Sequence, residues 1–269
     1  MLEFLAFALG ASVGSFINVA VDRLPQGRSL VRPRSFCEAC SRPLARLDMV
    51  PVLSYLWLRG RCRYCSAAIP LRVMLTEATT GLLFTFLYLR FGFGIDFVVV
   101  CAVVSLLLIV ALIDLEHGLI LNRVIYPAII ALVLLAPFWP ELGLYRAFPG
   151  APSMLASLLN SLAAGAGAFL LFLAFTLVYP QGMGGGDVKL AGLVGLLVGF
   201  PGILIALWIA GVTGGLLAIV LLLLGKKSRK DSIPFGPFLA GSAIVAFLAS
   251  SEIIAKYQEL SDSILGSGT

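Results

Sequence analysis

Residues 95–114 have the sequence IDFVVVCAVVSLLLIVALID, an apolar run with Asp96 near its start and Asp114 at its end. A helix of about 20 mostly apolar residues is long enough to cross the hydrocarbon core of a bilayer, so the run predicts a transmembrane helix. The whole chain agrees, because it is 60% hydrophobic and only 12% charged. Its mean hydropathy of +1.03 lies outside the range of soluble proteins. The sequence therefore predicts a membrane protein of the all-α class.

Apolar stretches of this kind recur along the chain, and they predict about eight transmembrane helices. They cover 2–21, 73–91, 95–114, 123–139, 153–179, 188–200, 202–224 and 235–254. The sixth is short and ends at Phe200-Pro201, so it either crosses with a tight hairpin into the seventh or enters only partway. The predicted organisation is a first helix (1–22), a cytoplasmic tetracysteine loop (23–72), a seven-helix membrane domain (73–254) and a polar C-terminal tail (255–269).

The basic residues predict the orientation, because cytoplasmic loops concentrate Lys and Arg near the ends of spans. The tetracysteine loop contains ten arginines. If it is cytoplasmic, alternation of eight spans places sixteen of the nineteen basic residues on the same side. Only Arg90, Arg146 and Lys256 fall on the other side. We therefore predict that both termini are non-cytoplasmic, and that the net charge of +5 reflects orientation and contact with anionic lipid, with no nucleic-acid partner.

The first apolar stretch resembles a secretion signal in position only. It lacks a basic segment at its start and a small-residue cleavage site, which predicts a retained span. Its Gly10, Gly14 and Ser15 favour close packing against another helix.

Four of the five cysteines form two pairs, CEAC at 37–40 and CRYC at 62–65. Two C-x2-C turns can direct four thiolates at one point, and this spacing is typical of a tetrahedral zinc site with ligands Cys37, Cys40, Cys62 and Cys65. A cytoplasmic location favours metal over disulfides, although two disulfides or four reduced cysteines remain as alternatives. With four cysteine ligands the metal has no open position, so its role would be structural. Cys101 lies in the middle of a span and is interpreted as a small buried hydrophobe.

Carboxylates at membrane depth are the candidates for chemistry, because ionisable groups within spans are costly. Asp114 ends an inward-running helix and Asp187 begins an outward-running one, so both fall at the cytoplasmic face. Two carboxyls that converge on a water molecule can hydrolyse a peptide bond, one as base and one as proton donor. Asp187 precedes a helix whose dipole favours its ionised form, so we assign Asp187 as the base and Asp114 as the donor.

Simpler interpretations exist for each residue. Asp187 alone is compatible with an ordinary helix N-cap, and Asp114 alone with the end of a span. Glu116 points away from Asp114 on a helix, and His117, the only histidine, has no serine or cysteine constellation beside it, so we interpret both as surface residues. The role of Glu77, in the second span, is left open by the sequence.

Six segments together resemble the type IV prepilin peptidase family of leader peptidases and N-methyltransferases. They are GSFINVAVDRLP (14–25), RSFCEACSRPL (34–44), PVLSYLWLRGRCRYC (51–65), ALIDLEHGLILN (111–122), GMGGGDVKLAGLVG (182–195) and PFGPFLA (234–240). The resemblance covers nearly the whole chain in order. It implies an aspartic membrane peptidase of eight spans in the bacterial inner membrane, with Asp114 and Asp187 as catalytic residues.

The second aspartate lies in Gly184-Gly185-Gly186-Asp187, the G-x-G-D arrangement of presenilin-type proteases, and these glycines are expected to let a substrate backbone approach. The resemblance further implies cleavage of a basic leader after a glycine, with prepilins or pseudopilins as substrates. Methylation of the new N-terminal residue by S-adenosylmethionine would follow, and the tetracysteine loop is typical of the bifunctional branch. Two departures, Glu38-Ala39 for Pro-x and Leu121-Asn122 for Pro-Asp, affect local turns only.

No sequence motif identifies the methyl-donor site. A G-x-G-x-x-G motif after a strand is absent, which excludes a Rossmann methyltransferase. We expect the site near Asn18, Arg23 and Glu77. Two rival functions remain: a peptidase without methylation, and an ion- or proton-coupled transporter, which would normally place its carboxylates at the midplane between repeats.

Overall fold

A computed structural model describes residues 1–142, 153–179, 183–226, 233–249 and 252. The predicted all-α class is confirmed: regular structure in these residues is helical, and β pairing among them is limited to the isolated bridges Phe36↔Pro43 and Arg61↔Ala68. The predicted polar tail at 255–269 lies outside the described residues, as do Arg146 and Lys256. The chain divides into an N-terminal unit, Met1–Ile109, and a C-terminal unit, Val110–Thr269.

The described parts of the chain contain nine α-helices. They are α1 (Leu2–Arg23), α2 (Leu53–Trp57), α3 (Leu71–Phe91), α4 (Ile95–His117), α5 (Asn122–Leu135), α6 (Met154–Val178), α7 (Gly185–Val198), α8 (Gly202–Leu223) and α9 (Gly236–Ala249). Short 3-10 turns cover Arg46–Met49 and Ala136–Phe138. Every predicted span coincides with one of these helices, while α2 belongs to the tetracysteine loop.

Four of the helices, α1, α4, α6 and α8, are long and apolar enough to cross a membrane, which supports a multi-pass membrane protein. Helix α3 is of similar length, but it contains Arg72, Glu77 and Arg90 and is more polar. Helix α7 has 14 residues and rises about 21 Å, less than the about 30 Å thickness of the hydrocarbon core. The total of eight spans therefore stays a prediction.

In the N-terminal unit, α1 packs closely against α3. A Cβ on Gly10 would lie 2.6 Å from the carbonyl oxygen of Thr80, and one on Gly14 would lie 2.8 Å from the Cα of Glu77. Backbones can approach to this distance only where one helix has no side chain. The predicted role of the two glycines in close packing is confirmed.

In the C-terminal unit, α7 is the buried helix, with every residue from Val188 to Val198 buried except the intermediate Lys189. It packs on α6, where a Cβ on Gly165 would lie 2.6 Å from Cγ of Leu196. The turn into α8 is held by Asn160, whose side chain donates to the carbonyl of Phe200 (2.9 Å) and accepts from its N–H (2.8 Å). This packing holds the N-terminal turn of α7, and with it Asp187, in place.

Candidate active site

Asp114 lies in the last turn of α4, and its side chain is buried with 5% of the residue exposed. Its Oδ2 atom accepts a hydrogen bond of 2.8 Å from the backbone N–H of Gly236, the first residue of α9. The first N–H groups of a helix have no partner within the helix, so the carboxylate supplies one. A Cβ on Gly236 would lie 2.6 Å from this same oxygen, so the contact requires glycine at that position.

Asp187 is the third residue of α7 and is partly exposed. Its Oδ2 atom accepts a hydrogen bond of 3.2 Å from the N–H of Gly184, the N-cap residue. The expectation that Asp187 precedes the helix, or caps it as the N-cap residue, was wrong because α7 begins two residues earlier, at Gly185. Both aspartates therefore accept an N–H at the start of a helix, and the helix dipole does not distinguish a base from a donor.

The start of α7 packs against the segment that follows α4, and this brings the two aspartates together. A Cβ on Gly186 would lie 2.8 Å from the Cβ of Ile120. Lys189 donates a hydrogen bond of 2.9 Å to Oδ1 of Asn122, and its ammonium lies 5.4 Å from the centre of the Tyr126 ring. Asp187 and Asp114 are close enough for a direct electrostatic interaction. The sequence missed the pairing of Lys189 with Asn122.

The glycines before Asp187 adopt ordinary backbone conformations in the described residues, and Gly182 lies outside them. Gly184 is extended, with φ −77° and ψ 148°, and Gly185 and Gly186 begin the helix. Gly186 is needed for the close approach of Ile120, whereas a Cβ on Gly185 would meet no atom within 4 Å. Gly184 and Gly185 are exposed, so space beside Asp187 is open, and their contact with a substrate backbone stays a prediction.

Glu116 and His117 follow Asp114 in sequence. Glu116 and His117 are both exposed at the end of α4. Their interpretation as surface residues agrees with this position.

The four paired cysteines converge in the tetracysteine loop. Their Sγ atoms all lie within 4.8 Å of one another, and those of Cys37 and Cys65 are 3.8 Å apart. Sulfurs bound tetrahedrally to zinc at about 2.3 Å would be separated by about 3.8 Å. All four cysteines are free thiols, so the disulfide alternative is not supported. The cluster could hold a metal ion.

The two C-x2-C turns share one backbone hydrogen bond and one backbone conformation. The N–H of Ser41 donates to the carbonyl of Cys37, and the N–H of Ser66 donates to that of Cys62. Both serines have positive φ, 55° and 58°. In the second turn, the N–H groups of Tyr64 and then Cys65 lower the pKa of the Cys62 thiol to about 7. Hydrogen bonds to the charged form favour the thiolate, the form that binds metal.

The loop is joined to the helices of its own unit by buried polar contacts. Glu77 on α3 is 5% exposed and accepts a 2.7 Å hydrogen bond from the N–H of Val52. Arg72 on α3 pairs with Asp22 on α1, with 2.7 Å between Nη2 and Oδ1. The sequence left Glu77 open, and the structure gives it a role in holding α2 to α3.

The apolar residues of α2 and its approach point away from this junction. The exposed fractions are 73% for Leu47, 61% for Leu53, 58% for Leu56 and 85% for Trp57. These side chains are therefore exposed and do not pack on the helices of their own unit.

Comparison with known families covers both units of the chain. Residues 8–91 match the bacterial peptidase A24 N-terminal domain, and residues 101–219 match the type IV leader peptidase family. No solved structure matches the chain.

Individual relatives match nearly from end to end. A prepilin leader peptidase/N-methyltransferase of Bacillus subtilis is 33% identical over 258 residues, 96% of this chain and 98% of the relative. One from Aeromonas hydrophila is 30% identical over 94% of this chain and 92% of its own. One from Pseudomonas aeruginosa is 31% identical over 93% and 91%.

Proposed function

Because this chain belongs to the type IV leader peptidase family, we propose that Asp114 and Asp187 perform its peptide hydrolysis. Its activities are cleavage of prepilins and N-methylation of the product, the two activities in the names of its full-length relatives. The observation that carries the assignment is that the two carboxyls, at the end of α4 and the start of α7, lie within electrostatic range of each other. The substrate is a prepilin or pseudopilin, whose basic leader is cut at the cytoplasmic face of the inner membrane.

The two carboxyls divide the proton transfers between them. We assign the shared proton to Asp114, which is the more buried of the pair, and the ionised state to Asp187. Asp187 removes a proton from water as the oxygen attacks the scissile carbonyl carbon, and Asp114 gives its proton to the carbonyl oxygen. When the C–N bond breaks, the proton on Asp187 passes to the leaving amine, and the hydroxyl proton of the intermediate returns to Asp114.

The hydrogen bond from the N–H of Gly236 orients the Asp114 carboxyl for this reaction. It holds Oδ2 of Asp114 in the role of acceptor, which leaves Oδ1 to bear the proton. Segment 234–240 is one of the six that resemble the family, but the resemblance gives it no role. Its contribution is a backbone N–H that positions Asp114.

The second activity needs a methyl donor, S-adenosylmethionine. When bound, the donor supplies a methyl group on a positively charged sulfur; the amine lone pair forms the N–C bond, the C–S electrons stay on sulfur and the amine loses a proton. The chain's own task is to bind the donor and exclude other nucleophiles. The residues with suitable chemistry for the donor lie in the N-terminal unit.

We propose that the metal of the tetracysteine loop is zinc. The sulfur set and its spacing fit zinc, and four thiolate ligands leave no position for water or substrate. The ion therefore takes no part in either reaction. It fixes the shape of a loop that has few buried apolar residues of its own.

The rival functions are less well supported. A transporter is disfavoured because Asp114 lies three residues before the end of α4, away from the middle of the span, and the full-length relatives are peptidases. A peptidase without methylation is disfavoured by the match of residues 8–91 and by the four cysteines. Both termini on the non-cytoplasmic side and binding of anionic lipid remain parts of the proposal, supported by the distribution of basic residues.

The function is tested by incubating the purified protein, in lipid nanodiscs, with a prepilin and S-adenosylmethionine. Mass spectrometry of the product should detect loss of the leader and addition of one methyl group to the new N-terminus. Release of the leader without methylation would support the peptidase-only alternative. An intact prepilin under all conditions would contradict the proposal.

The position of Gly236 gives a second test. In Gly236→Ala, the new Cβ would lie 2.6 Å from Oδ2 of Asp114, so the carboxyl must move. A displacement of about 1 Å in a catalytic group lowers a rate by about 10²-fold, and we expect this fall in the kcat for cleavage.

The matched control is Gly241→Ala, also in α9, where a Cβ would meet nothing within 4 Å. It should cleave at the normal rate. Equal rates for Gly236→Ala, Gly241→Ala and the unmodified protein would show that the contact with Gly236 has no part in positioning Asp114.

A further inference from the structure

We propose that S-adenosylmethionine binds in a cavity at the C-terminal end of α1, in the N-terminal unit. The inference rests on the proposed methyltransferase function and gives that function a site. The cavity has a volume of about 420 Å³ and is bounded by α1 residues and by the first C-x2-C turn. Small-molecule sites have volumes of about 300–1,000 Å³, so the cavity is large enough for one donor molecule.

The lining matches the chemistry of the donor, which has a cationic sulfur, an amino-acid end and an adenine ring. Asp22 and Glu38 offer carboxylates to the sulfonium and ammonium groups. Arg28 offers a guanidinium to the carboxylate, and such pairs are often bidentate. Phe36, which is 36% exposed, offers a ring face for stacking with adenine.

The walls of the cavity are held by defined contacts. Asp22 is fixed by Arg72 from α3 at 2.7 Å. Arg23 donates a hydrogen bond of 3.0 Å to the carbonyl of Ser29, which folds the chain back across the end of α1. The opposite wall contains Phe36 and Glu38, the two neighbours of Cys37, and Phe36 forms a bridge with Pro43. A metal bound to Cys37 would therefore orient one side of the cavity.

The expected location near Asn18, Arg23 and Glu77 is only partly supported. Arg23 lines the cavity. Asn18 is buried and donates to the carbonyl of Val73 at 3.1 Å, and Glu77 accepts from Val52. These two residues join α1, α3 and the tetracysteine loop, and their role toward the donor would be to position the wall of its site.

An anionic lipid headgroup is the main competing occupant, because Arg23 and Arg28 also suit a phosphate. Asp22 and Glu38 oppose it, since like charges in one site repel. The mixed charge of the lining suits a zwitterionic molecule with a further positive centre. We therefore favour the methyl donor.

The test measures binding of S-adenosylhomocysteine, which lacks the transferable methyl group, to the full chain by isothermal titration calorimetry. Phe36→Ala and Glu38→Gln should each weaken binding, Phe36→Ala by about tenfold or more because it removes a stacking platform. Cleavage of prepilin and the metal content should stay normal in both. Tyr64→Ala is the matched control, because it removes an aromatic ring of similar exposure (42%) from the second C-x2-C turn.

The outcomes distinguish failure of the proposed donor site from failure of the proposed methyltransferase function. If the unmodified protein methylates prepilin while both cavity variants bind S-adenosylhomocysteine normally, the donor site is elsewhere and the function stands. If the unmodified protein cleaves prepilin but neither binds S-adenosylhomocysteine nor methylates, the methyltransferase function itself is wrong.

A further arm repeats the titration in nanodiscs of phosphatidylcholine and in nanodiscs rich in phosphatidylglycerol. We expect the protein to bind S-adenosylhomocysteine with equal affinity in both. The contrary result is that phosphatidylglycerol lowers the affinity for S-adenosylhomocysteine in the unmodified protein but not in Arg28→Gln. That result would identify a lipid headgroup as the occupant and overturn the assignment.

Discussion

Replacing Asp114 or Asp187 with asparagine is expected to lower the rate of prepilin cleavage by about 10²–10⁴-fold, the usual contribution of a positioned acid or base. Asparagine has nearly the same shape and retains an oxygen acceptor. It can therefore still accept the N–H of Gly236 at position 114 and that of Gly184 at position 187. The fold should persist while the ability to take up and release a proton is lost.

The measurement is the initial rate of leader release from prepilin by purified protein at equal concentration. Because the two carboxyls act as a unit, the double variant should be little slower than either single variant. Glu116→Gln is the matched control, since it removes an exposed carboxylate two residues from Asp114, and it should cleave normally. A single asparagine variant that keeps near-normal cleavage would refute the assignment of that aspartate.

Methylation offers an internal check on the same variants. With a substrate that has already lost its leader, Asp114→Asn and Asp187→Asn should transfer the methyl group at the normal rate. Loss of both activities in a variant with normal binding of S-adenosylhomocysteine would show that the aspartates also serve the methyl transfer.

The sequence was sufficient for those features that depend on local composition. Apolar stretches identify the membrane helices because the bilayer interior excludes polar side chains. Asp114 is identified as a carboxylate at the end of such an apolar stretch. Asp187 is identified because it falls at the same membrane face as Asp114. The two C-x2-C pairs indicate a cysteine cluster that could hold a metal ion for a similar reason, because the spacing of such ligands follows the geometry of the ion.

Features that depend on packing between distant segments could not be predicted. The bond from Gly236 to Asp114 joins residues 122 positions apart, and glycine between two prolines indicates only a turn. The start of α7 was misplaced because glycine has a low helix propensity. Contact of Gly186 with Ile120 and burial of the helix against α6 override that propensity.

The donor cavity illustrates the same limit. Its lining comes from the end of α1 and from residues beside Cys37, and none of these forms a recognised donor motif. Only the folding of the tetracysteine loop back onto α1 and α3 brings them together. The sequence suggested the region through Arg23 but not the participation of Phe36 and Glu38.

The second large effect is expected from the cysteine cluster. Cys62→Ser should lower the bound zinc from about one ion per chain to nearly none, because a serine hydroxyl is a much poorer ligand than a thiolate. Structural zinc contributes about 10–16 kcal/mol of apparent binding free energy in small zinc domains. Its loss should therefore unfold much of the tetracysteine loop. Metal analysis measures the ion, and limited proteolysis between residues 24 and 70 measures the unfolding.

The matched control is Cys101→Ala, which removes the one cysteine outside the cluster, buried at 5% exposure in α4. It should retain zinc and resist proteolysis. In Cys62→Ser, binding of S-adenosylhomocysteine should fall as well, because the first C-x2-C turn supplies a wall of the donor cavity. A full complement of zinc in Cys62→Ser would contradict the four-cysteine site. Normal donor binding after zinc loss would mean that Phe36 and Glu38 are held in place without the metal.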